Sequence, residues 1–305
     1  MYKNGTPGWN RTNGQKLRSL LLYPLSYRGM LSIIPKTNGD RMRSMKNGDF
    51  IVDRWMPDMI REIGMQYGLT VTSLSDDWLL EVSSQHVRRR ILGYRFDVND
   101  SVAAGISVDK VAAYQVMRVS NVTAVPHVLV RTNGGEAYGV QLFPWEDVVI
   151  KPLVGKGGYG VRRCTSQTDA NEWMINNDIQ AWAVSPFIDI QSETRLVLLD
   201  DQVLISYRKQ PHVHDNLKMF NLSHGAIPND TTPSAAFIEL AQRARLVMGL
   251  RLAAVDIIED VNGKPYVLEV NDSITLERYM RASPVHKRRG FEVYENIIKS
   301  ITLTN

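Results

Sequence analysis

Residues 251–277 read RLAAVDIIEDVNGKPYVLEVNDSITLE, and this stretch decides the fold of the chain. Two short apolar runs flank the dipeptide Asn262-Gly263, which is the strongest local signal for a β-hairpin. Each run carries an acidic residue among apolar neighbours, Asp256 in the first and Glu269 in the second. Because an unpaired buried carboxylate costs several kcal/mol, this hairpin needs a compensating cation.

The acidic hairpin also predicts a metal site. Glu269 and Asn271 are two residues apart, so they face the same side of a strand. Together with Asp256 they offer only oxygen ligands, which favour Mg²⁺ or Mn²⁺ over zinc. Mg²⁺ is usually held by one or two carboxylates plus substrate phosphates. The alternative interpretation is a surface hairpin with two solvated acids.

Composition indicates a globular protein with two domains or one large one. The 305 residues are 44% hydrophobic and 22% charged, and the formal net charge is +4. This mildly basic balance suits a nucleotide as well as a nucleic acid, and we expect no nucleic-acid partner. The single cysteine, Cys164, excludes an internal disulfide and fits a reducing cytosol. The apolar run at 20–25 is too short to span a membrane, and residues 1–10 lack the shape of a signal peptide, so we expect a cytoplasmic protein.

Apolar spacing and turn residues predict an α+β chain with mostly antiparallel strands after residue 125. Helices are predicted at 55–67, from Asp76 or Asp77 to Arg90, from Ser107, from Thr168-Asp169, at 234–248 and at 292–301. Strands are predicted at 69–74, 128–131, 147–152, 181–187, 195–200 and 202–208, with further candidates at 20–23 and 30–34.

A glycine-rich loop follows the strand that ends at Lys151-Pro152. It has glycines at 155, 157, 158 and 160. Such a loop lets backbone N–H groups close on phosphate oxygens while the lysine supplies a fixed cation. The order of a P-loop is absent, since no Gly-Lys-Ser/Thr follows the glycines. Taken alone, the loop is equally well explained as a flexible hairpin connection.

Two arginines, Arg195 and Arg208, lie on neighbouring strands joined by a tight turn at Asp200-Asp201. Arginine suits bidentate binding of phosphate or carboxylate. The alternative is a pair of exposed strand cations.

In this order the segments resemble the ATP-grasp superfamily, and within it the ribosomal-protein glutamate ligases and related amino-acid ligases. The resemblance covers residues 93–280 and is carried by Asp109-Lys110, Val149-Ile150-Lys151-Pro152 with the glycine loop, Val184-Ser185-Pro186-Phe187-Ile188, Glu193-Thr194-Arg195, Asn221-Leu222-Ser223-His224-Gly225, Val255-Asp256-Ile257 and Leu268-Glu269-Val270-Asn271-Asp272-Ser273. It implies an α+β ATP-grasp fold with ATP between a small lid and a C-terminal domain built on an antiparallel sheet. The implied domains are an N-terminal α/β domain at 1–105, a central lid at 106–184 and a catalytic domain at 185–305.

The resemblance also implies roles for individual residues. The ATP site would comprise Lys110 and Lys151 on the phosphates, Gly155, Gly157, Gly158 and Gly160 above them, Ser185, Pro186 and Phe187 at the adenine edge, Leu268 on its face and Asp189 at the ribose. Two Mg²⁺ (or Mn²⁺) ions would be bound by Asp256, Glu269 and Asn271. The γ-phosphate and an acyl phosphate would be held by Arg195, Arg208 and Asn221, and the activated carboxylate by Ser273.

Two departures from the family pattern concern substrate contacts. The adenine strand carries Ser185-Pro186 where a Gln/Glu pair is usual, which removes or replaces one side-chain contact. The usual Ser-Pro-Gly after Glu-x-Asn is here Ser273-Ile274-Thr275, so the acceptor pocket differs from that of the glutamate ligases.

The implied activity is ATP- and Mg²⁺-dependent ligation of a carboxylate to an amine through an acyl phosphate, with small molecules or peptides as substrates. Lys, Arg and Mg²⁺ would neutralise the charge that develops on the γ-phosphoryl oxygens. Two alternatives remain, a phosphotransferase that acts on a hydroxyl and a non-catalytic ATP-binding module. His212 and His214 share a strand face, and lining the acceptor region or simple solvation explains them better than a metal pair.

Overall fold

The structure is a computed structural model that describes residues 53–133, 136–138, 143–155, 157–214 and 217–303. The side chains of 136–138, 214 and 217 are not described. The strand candidates at 20–23 and 30–34 lie outside these ranges. All described residues belong to one compact unit, 48–305.

The first described part is a helix followed by an antiparallel meander of four strands. Its elements are α1 (Met56–Gln66), β1 (Thr70–Leu74), β2 (Leu79–Ser83), β3 (Arg88–Leu92) and β4 (Arg95–Phe96). The helix predicted from Asp76 or Asp77 to Arg90 is wrong, since β2 and β3 occupy this segment. Both aspartates have positive φ angles, 54° and 62°, so they form a turn. Beyond it, Leu80 and Val82 alternate with less buried residues, which is the two-residue period of a strand.

Two short helices follow, and each begins at an aspartate. These are α2 (Ser101–Val108) and α3 (Lys110–Val119). The extended backbone of Asp109 ends the first helix, and its carboxylate accepts hydrogen bonds from the backbone N–H groups of Val111 and Ala112 in the second. This N-cap therefore divides the helix predicted from Ser107 and places Lys110 at the start of α3.

The middle part is a five-stranded antiparallel sheet with its own core, which we call the lid sheet. Its strands are β5 (Val128–Asn133), β6 (Glu136–Tyr138), β7 (Val148–Pro152), β8 (Arg162–Cys164) and β9 (Ala181–Pro186), in the order β6-β5-β9-β7-β8. Helix α4 (Gln167–Ile175) packs on it. The buried residues of this core all come from 130–184, while α3 packs on a different core.

The C-terminal part is a second five-stranded antiparallel sheet with helices on both faces. Its strands are β10 (Ile190–Leu199), β11 (Gln202–Gln210), β14 (Ile227–Asp230), β15 (Leu252–Asp260) and β16 (Pro265–Asn271), in the order β14-β11-β10-β15-β16, and a separate hairpin is formed by β12 (His212–His214) and β13 (Leu217–Met219). The helices are α5 (Ala235–Val247), α6 (Glu277–Met280) and α7 (Pro284–Thr302). The last helix begins at Pro284, eight residues before the predicted start, because Ser283 caps it.

The two faces of this sheet bury different partners. Helix α7 shares a core with α1, β2 and β3 on one face. Helix α5 shares a core with α2 and α3 on the other. The described residues at 53–96 therefore pack directly on the C-terminal part.

A buried carboxylate strengthens this attachment. Glu277 has an exposed fraction of 0%. Its two oxygens accept hydrogen bonds from the backbone N–H groups of Trp55 and Met56, each at 3.0 Å. These N–H groups open α1, where a negative charge is stabilised by the helix dipole.

Among the described helices, none has the length and apolar character needed to span a bilayer.

Candidate functional site

A cleft of about 440 Å³ lies between the lid sheet and the hairpin β15–β16, and we call it the first cleft. It gathers most of the residues that the sequence predicted for a nucleotide. These are Lys110, Lys151, Gly155, Gly157, Gly158, Ser185, Pro186, Phe187, Asp189, Asn221, Asp256, Leu268 and Glu269. Gly160 lies beside Pro152 instead and does not line this cleft.

Two lysines line the first cleft, Lys110 at the start of α3 and Lys151 near the end of β7. Lys110 Nζ donates to the carbonyl oxygen of Gly155 at 3.0 Å. Lys151 is buried and its Nζ lies 3.4 Å from Nε2 of His127, a residue that the sequence did not single out. Burial lowers the pKa of Lys151, and the nearby Glu269 partly opposes this effect. Among the described residues, neither lysine forms an ion pair.

The glycine loop closes onto the segment that begins at Asn221. His224 Nε2 lies 2.7 Å from the carbonyl oxygen of Gly157. A Cβ placed on Gly158 would lie 2.4 Å from Nδ2 of Asn221, and the φ angle of this glycine is +76°. A larger residue at this position would strain the backbone and displace the Asn221 side chain. The backbone of the glycine loop therefore contacts the segment 221–225, which the sequence predicts at the γ-phosphate.

The predicted adenine strand forms one wall of the first cleft. The Phe187 N–H donates to the carbonyl oxygen of Asp147 at 2.9 Å, so this amide is used within the fold. The guanidinium of Arg163 lies 3.4 Å from the centroid of the Phe187 ring, a cation–π contact. Asp189, predicted at the ribose, is exposed and pairs with Lys218 at 2.9 Å.

A buried network of four charges lies on the C-terminal sheet where it meets the cleft. Arg195 donates to both carboxylate oxygens of Asp256, at 2.7 and 2.5 Å. Lys209 donates to Asp256 at 3.0 Å and also to Glu193. Each cation therefore pairs with an acid on a neighbouring strand. Burial alone would raise the pKa of Asp256, but Arg195 and Lys209 lower it to about 2, so this carboxylate is ionised.

The structure does not bring Arg208 into the site, because a β-bulge shifts the register of its strand. Leu199 pairs with Gln202 beside the tight turn, and this register would place Arg208 opposite Glu193. The bulge at Leu198 and Val197 moves the pairing by one residue, so that Lys209 stands opposite Glu193 instead. A shift of one residue reverses the face of every side chain. Arg208 is consequently exposed on the opposite face.

Lys209 and Glu193 are the two members of this four-charge network to which the sequence assigned no role. Glu193 could have been found, since it lies two residues from Arg195 and shares its face. Lys209 could not, because its orientation depends on the bulge.

The predicted metal ligands occupy one face of the hairpin β15–β16. Asp256 and Glu269 stand directly opposite each other, and Asn271 follows on the same face. The described residues contain no cluster of three or more His, Cys, Asp or Glu side chains suited to a metal. Two carboxylates and an amide nevertheless fit Mg²⁺ with phosphate oxygens as the remaining ligands.

The hydrogen bonds around these ligands support the same assignment. A carboxylate has about four lone-pair positions. Three of those on Asp256 accept from Arg195 and Lys209, which leaves one on Oδ2 for an ion. The buried Nδ2 of Asn271 has no hydrogen-bond partner within the described part of the chain, so this N–H donor suits a phosphate oxygen, while the amide oxygen suits the ion.

A second cleft of about 420 Å³ adjoins the first. Its lining includes Arg195, Lys209 and Asn271, and also the predicted carboxylate contact Ser273. The first described part supplies its outer wall through Trp78, Gly93, Tyr94 and Arg95. Both clefts share Gly155, Gly157, Asn221 and Glu269, so these residues mark their junction. His212 is exposed and lines neither cleft.

Two cations at the second cleft have different surroundings. Arg95 pairs with the buried Asp272 at 2.7 Å. Arg278 is exposed and has no acidic partner among the described residues. The backbone of Tyr94 accepts a hydrogen bond from Ile274 N–H at 2.9 Å, which fixes the segment after Ser273 against the outer wall.

Comparison with known proteins places the chain in a family. A family model described as the RimK-like ATP-grasp domain matches residues 109–301. A curated relative from Rhodopirellula baltica, named "Probable alpha-L-glutamate ligase", is 27% identical over 186 residues, which cover 60% of this chain and 45% of that protein. A protein of the same name from Pseudomonas savastanoi pv. phaseolicola is 28% identical over 189 residues, covering 60% of this chain and 61% of the relative. The chain thus spans less than two thirds of the length of these relatives.

A solved structure supports the fold. The D-alanine–D-alanine ligase from Bacillus anthracis has a TM-score of 0.50 and 16% sequence identity, and the match covers 67% of this chain and 70% of that chain. The predicted α+β ATP-grasp fold is confirmed. The chain belongs to the RimK-like ATP-grasp family.

Proposed function

We propose that this chain is an ATP- and Mg²⁺-dependent ligase that joins a carboxylate to an amine through an acyl phosphate. The observation that carries this proposal is the junction of the two clefts at Gly155, Gly157, Asn221 and Glu269. A γ-phosphoryl group at this junction would lie beside a substrate in the second cleft. Such proximity is the main requirement for phosphoryl transfer, which depends on positioning and charge neutralisation.

The first cleft takes ATP in this proposal. Lys110 and Lys151 bind the phosphates, and the glycine loop covers them. The adenine lies along Ser185, Pro186 and Phe187 with Leu268 on its face, and Asp189 is near the ribose. Since the Phe187 N–H is bonded to Asp147, other backbone groups of this strand read the adenine edge.

The carboxylates of Asp256 and Glu269 and the amide of Asn271 would hold two Mg²⁺ ions. Bound there, Mg²⁺ supplies charge neutralisation for the phosphate oxygens. Arg195 and Lys209 hold Asp256 in place, and both line the second cleft, where they face the transferred group. Asn221 at the junction contributes an amide to the same group. Ser273 binds the carboxylate that is activated.

An acidic amino acid such as glutamate is the substrate class that we propose for the second cleft. The curated relatives are named as glutamate ligases. In this chain Arg278 lines the second cleft without an acidic partner among the described residues. An unpaired arginine on the wall of a cleft suits a second carboxylate by bidentate hydrogen bonding.

We retain the three-domain division as part of the proposal, with boundaries after residues 105 and 184. The separate core of the lid sheet, at 130–184, supports an independent central domain, although α2 and α3 pack with α5 of the third domain. The core shared by α1, β2, β3 and α7 supports close attachment of the first domain to the third.

Phosphate release with a panel of amino acids, alone and in pairs, tests the activity. The ligase predicts release that requires both a carboxylate and an amine, with an amide product detected by mass spectrometry. A stable phosphorylated product would instead identify a phosphotransferase. ATP binding without turnover on any pair, in a panel that includes peptides, would identify a non-catalytic module.

A variant pair tests the substrate class. Arg278→Ala should raise KM for an acidic substrate at least tenfold, the effect of losing about 1.4 kcal/mol, and should leave KM for ATP unchanged. Arg288→Ala is the matched control, since Arg288 is exposed on α7 and lines neither cleft. An equal effect of both variants would refute the role of Arg278.

A further inference from the structure

His127 is a buried side chain that contacts the phosphate-binding lysine and has no part in the functions assigned above. It precedes β5 and is 4% exposed. Its Nδ1 lies 2.9 Å from the carbonyl oxygen of Val125, and its Nε2 lies 3.4 Å from Lys151 Nζ. A carbonyl oxygen only accepts, so Nδ1 carries the proton and Nε2 accepts from the lysine.

The charge state of the imidazole agrees with this arrangement. Burial, followed by the proximity of Lys151, lowers the pKa of His127 well below its usual value. A neutral imidazole with its proton on Nδ1 is therefore an acceptor towards Lys151. A protonated ring would instead place a second cation against a buried ammonium.

Lys151 requires such a partner because of its surroundings. It is 9% exposed and has no carboxylate within ion-pairing distance among the described residues. The lysine ammonium is a point charge on a four-carbon stem that adopts many rotamers. An acceptor on one side fixes one N–H and leaves the other two N–H groups for a ligand in the first cleft.

We propose that His127 is a positioning residue that holds Lys151 Nζ towards the phosphates of the bound nucleotide. The inference rests on the proposed binding of ATP in the first cleft. It adds a residue of the lid sheet that acts through the lysine and does not contact the nucleotide. The rival explanation is that His127 only ties the start of β5 to Val125.

Two amide substitutions separate these explanations because each retains one of the two hydrogen bonds. In His127→Asn, the short side chain keeps its N–H near the Nδ1 position, so that the contact with Val125 survives and the contact with Lys151 is lost. In His127→Gln, the longer side chain places its oxygen near the Nε2 position, where it accepts from Lys151. Cys164→Ala serves as a control for loss of packing, since Cys164 is fully buried in the lid core.

Binding of MgATP is measured by calorimetry on the full chain. The wild-type chain must bind MgATP, and failure to do so refutes the proposed function itself. Given binding, His127→Asn should weaken it about tenfold, the effect of losing a hydrogen bond to a charged group, whereas His127→Gln should stay within about threefold. Cys164→Ala should bind MgATP like the wild type. Wild-type affinity in His127→Asn would overturn the inference.

A double-mutant cycle covers the case in which both amide variants lose affinity. In a Lys151→Met background, His127→Asn should cause no further loss of MgATP affinity, because the residue acts only through the lysine. The same fold loss in both backgrounds would overturn the inference, since it would reveal a purely structural role.

Discussion

The two sides of the first cleft balance their charges in opposite ways. On the C-terminal sheet, Arg195 and Lys209 are neutralised by Asp256 and Glu193 within hydrogen-bonding distance. On the other side, the ammonium groups of Lys110 and Lys151 have, within the described part of the chain, a carbonyl oxygen and an imidazole as their partners at that distance. Arg195 and Lys209 are thus neutralised within the fold, whereas Lys110 and Lys151 have no carboxylate within ion-pairing distance among the described residues.

This difference distinguishes charged residues that stabilise the fold from charged residues that bind a ligand. Removing one member of a buried ion network strongly destabilises a protein, because the remaining charge stays buried without compensation. Removing a buried cation that has no counterion instead relieves a desolvation cost. The same substitution on the two sides should therefore change stability in opposite directions.

The largest effect is expected from Lys209→Met. It removes the cation that donates to the buried Glu193 and leaves Asp256 paired with Arg195 alone, so the free energy of unfolding should fall by about 3–5 kcal/mol. Urea denaturation measures this change. Lys218→Met is the control, since its pair with Asp189 is largely exposed and should contribute no more than about 1 kcal/mol. Equal effects of the two variants would contradict a buried network.

Lys151→Met tests the side of the cleft whose cations have no ion-pair partner among the described residues. MgATP affinity is expected to fall by roughly 10- to 100-fold, as a charged hydrogen bond is worth about 1.5–3 kcal/mol. The free energy of unfolding should stay constant or rise by about 0.5–2 kcal/mol, because a buried unpaired ammonium is removed. A loss of stability as large as that of Lys209→Met would break the distinction between the two sides.

The glycine loop connects the two sides, and a pair of glycine variants measures this connection. Gly157 and Gly158 both have positive φ angles, 67° and 76°, so alanine strains either position by about 1–2 kcal/mol. Only at Gly158 does the added Cβ meet Asn221, at 2.4 Å; at Gly157 the nearest atom is 3.8 Å away. We expect kcat to fall about tenfold further in Gly158→Ala than in Gly157→Ala. Identical kinetics would show that Asn221 is not used.

The smallest effect is expected from Arg208→Ala. Arg208 is exposed on the outer face of β11, so its removal should change the free energy of unfolding by less than about 0.5 kcal/mol and leave turnover unaltered. Steady-state kinetics beside Arg195→Ala, which removes a member of the buried network, provide the contrast. A loss of turnover in Arg208→Ala would restore the role that the sequence predicted for this residue.

The contrast between Arg208 and Lys209 shows which parts of the site can be predicted from the sequence and which cannot. The hairpin at Asn262-Gly263 and its acidic residues were readable, since a turn dipeptide and a two-residue period are local signals. The bulge that selects Lys209 has no comparable signal, because it depends on how β11 packs against β10 and β14.

His127 is a second residue whose role cannot be predicted from the sequence. Its importance comes from a contact with Lys151, 24 positions away in sequence. The sequence also predicts a helix after Asp77, where the structure has the strands β2 and β3. The turn that precedes β2 depends on positive φ angles, which the residue types permit but do not require.

Glu277 has a consequence for how this chain could be recombined with its relatives. Its carboxylate caps α1 from more than two hundred residues away in sequence, and α1 lies outside the segment matched by the family model. A chimera joined near residue 100 would separate the helix from its cap and leave either two open N–H groups or a buried, unpaired acid. Exchange of the first described part between family members should therefore succeed only when the residue at position 277 is transferred with it.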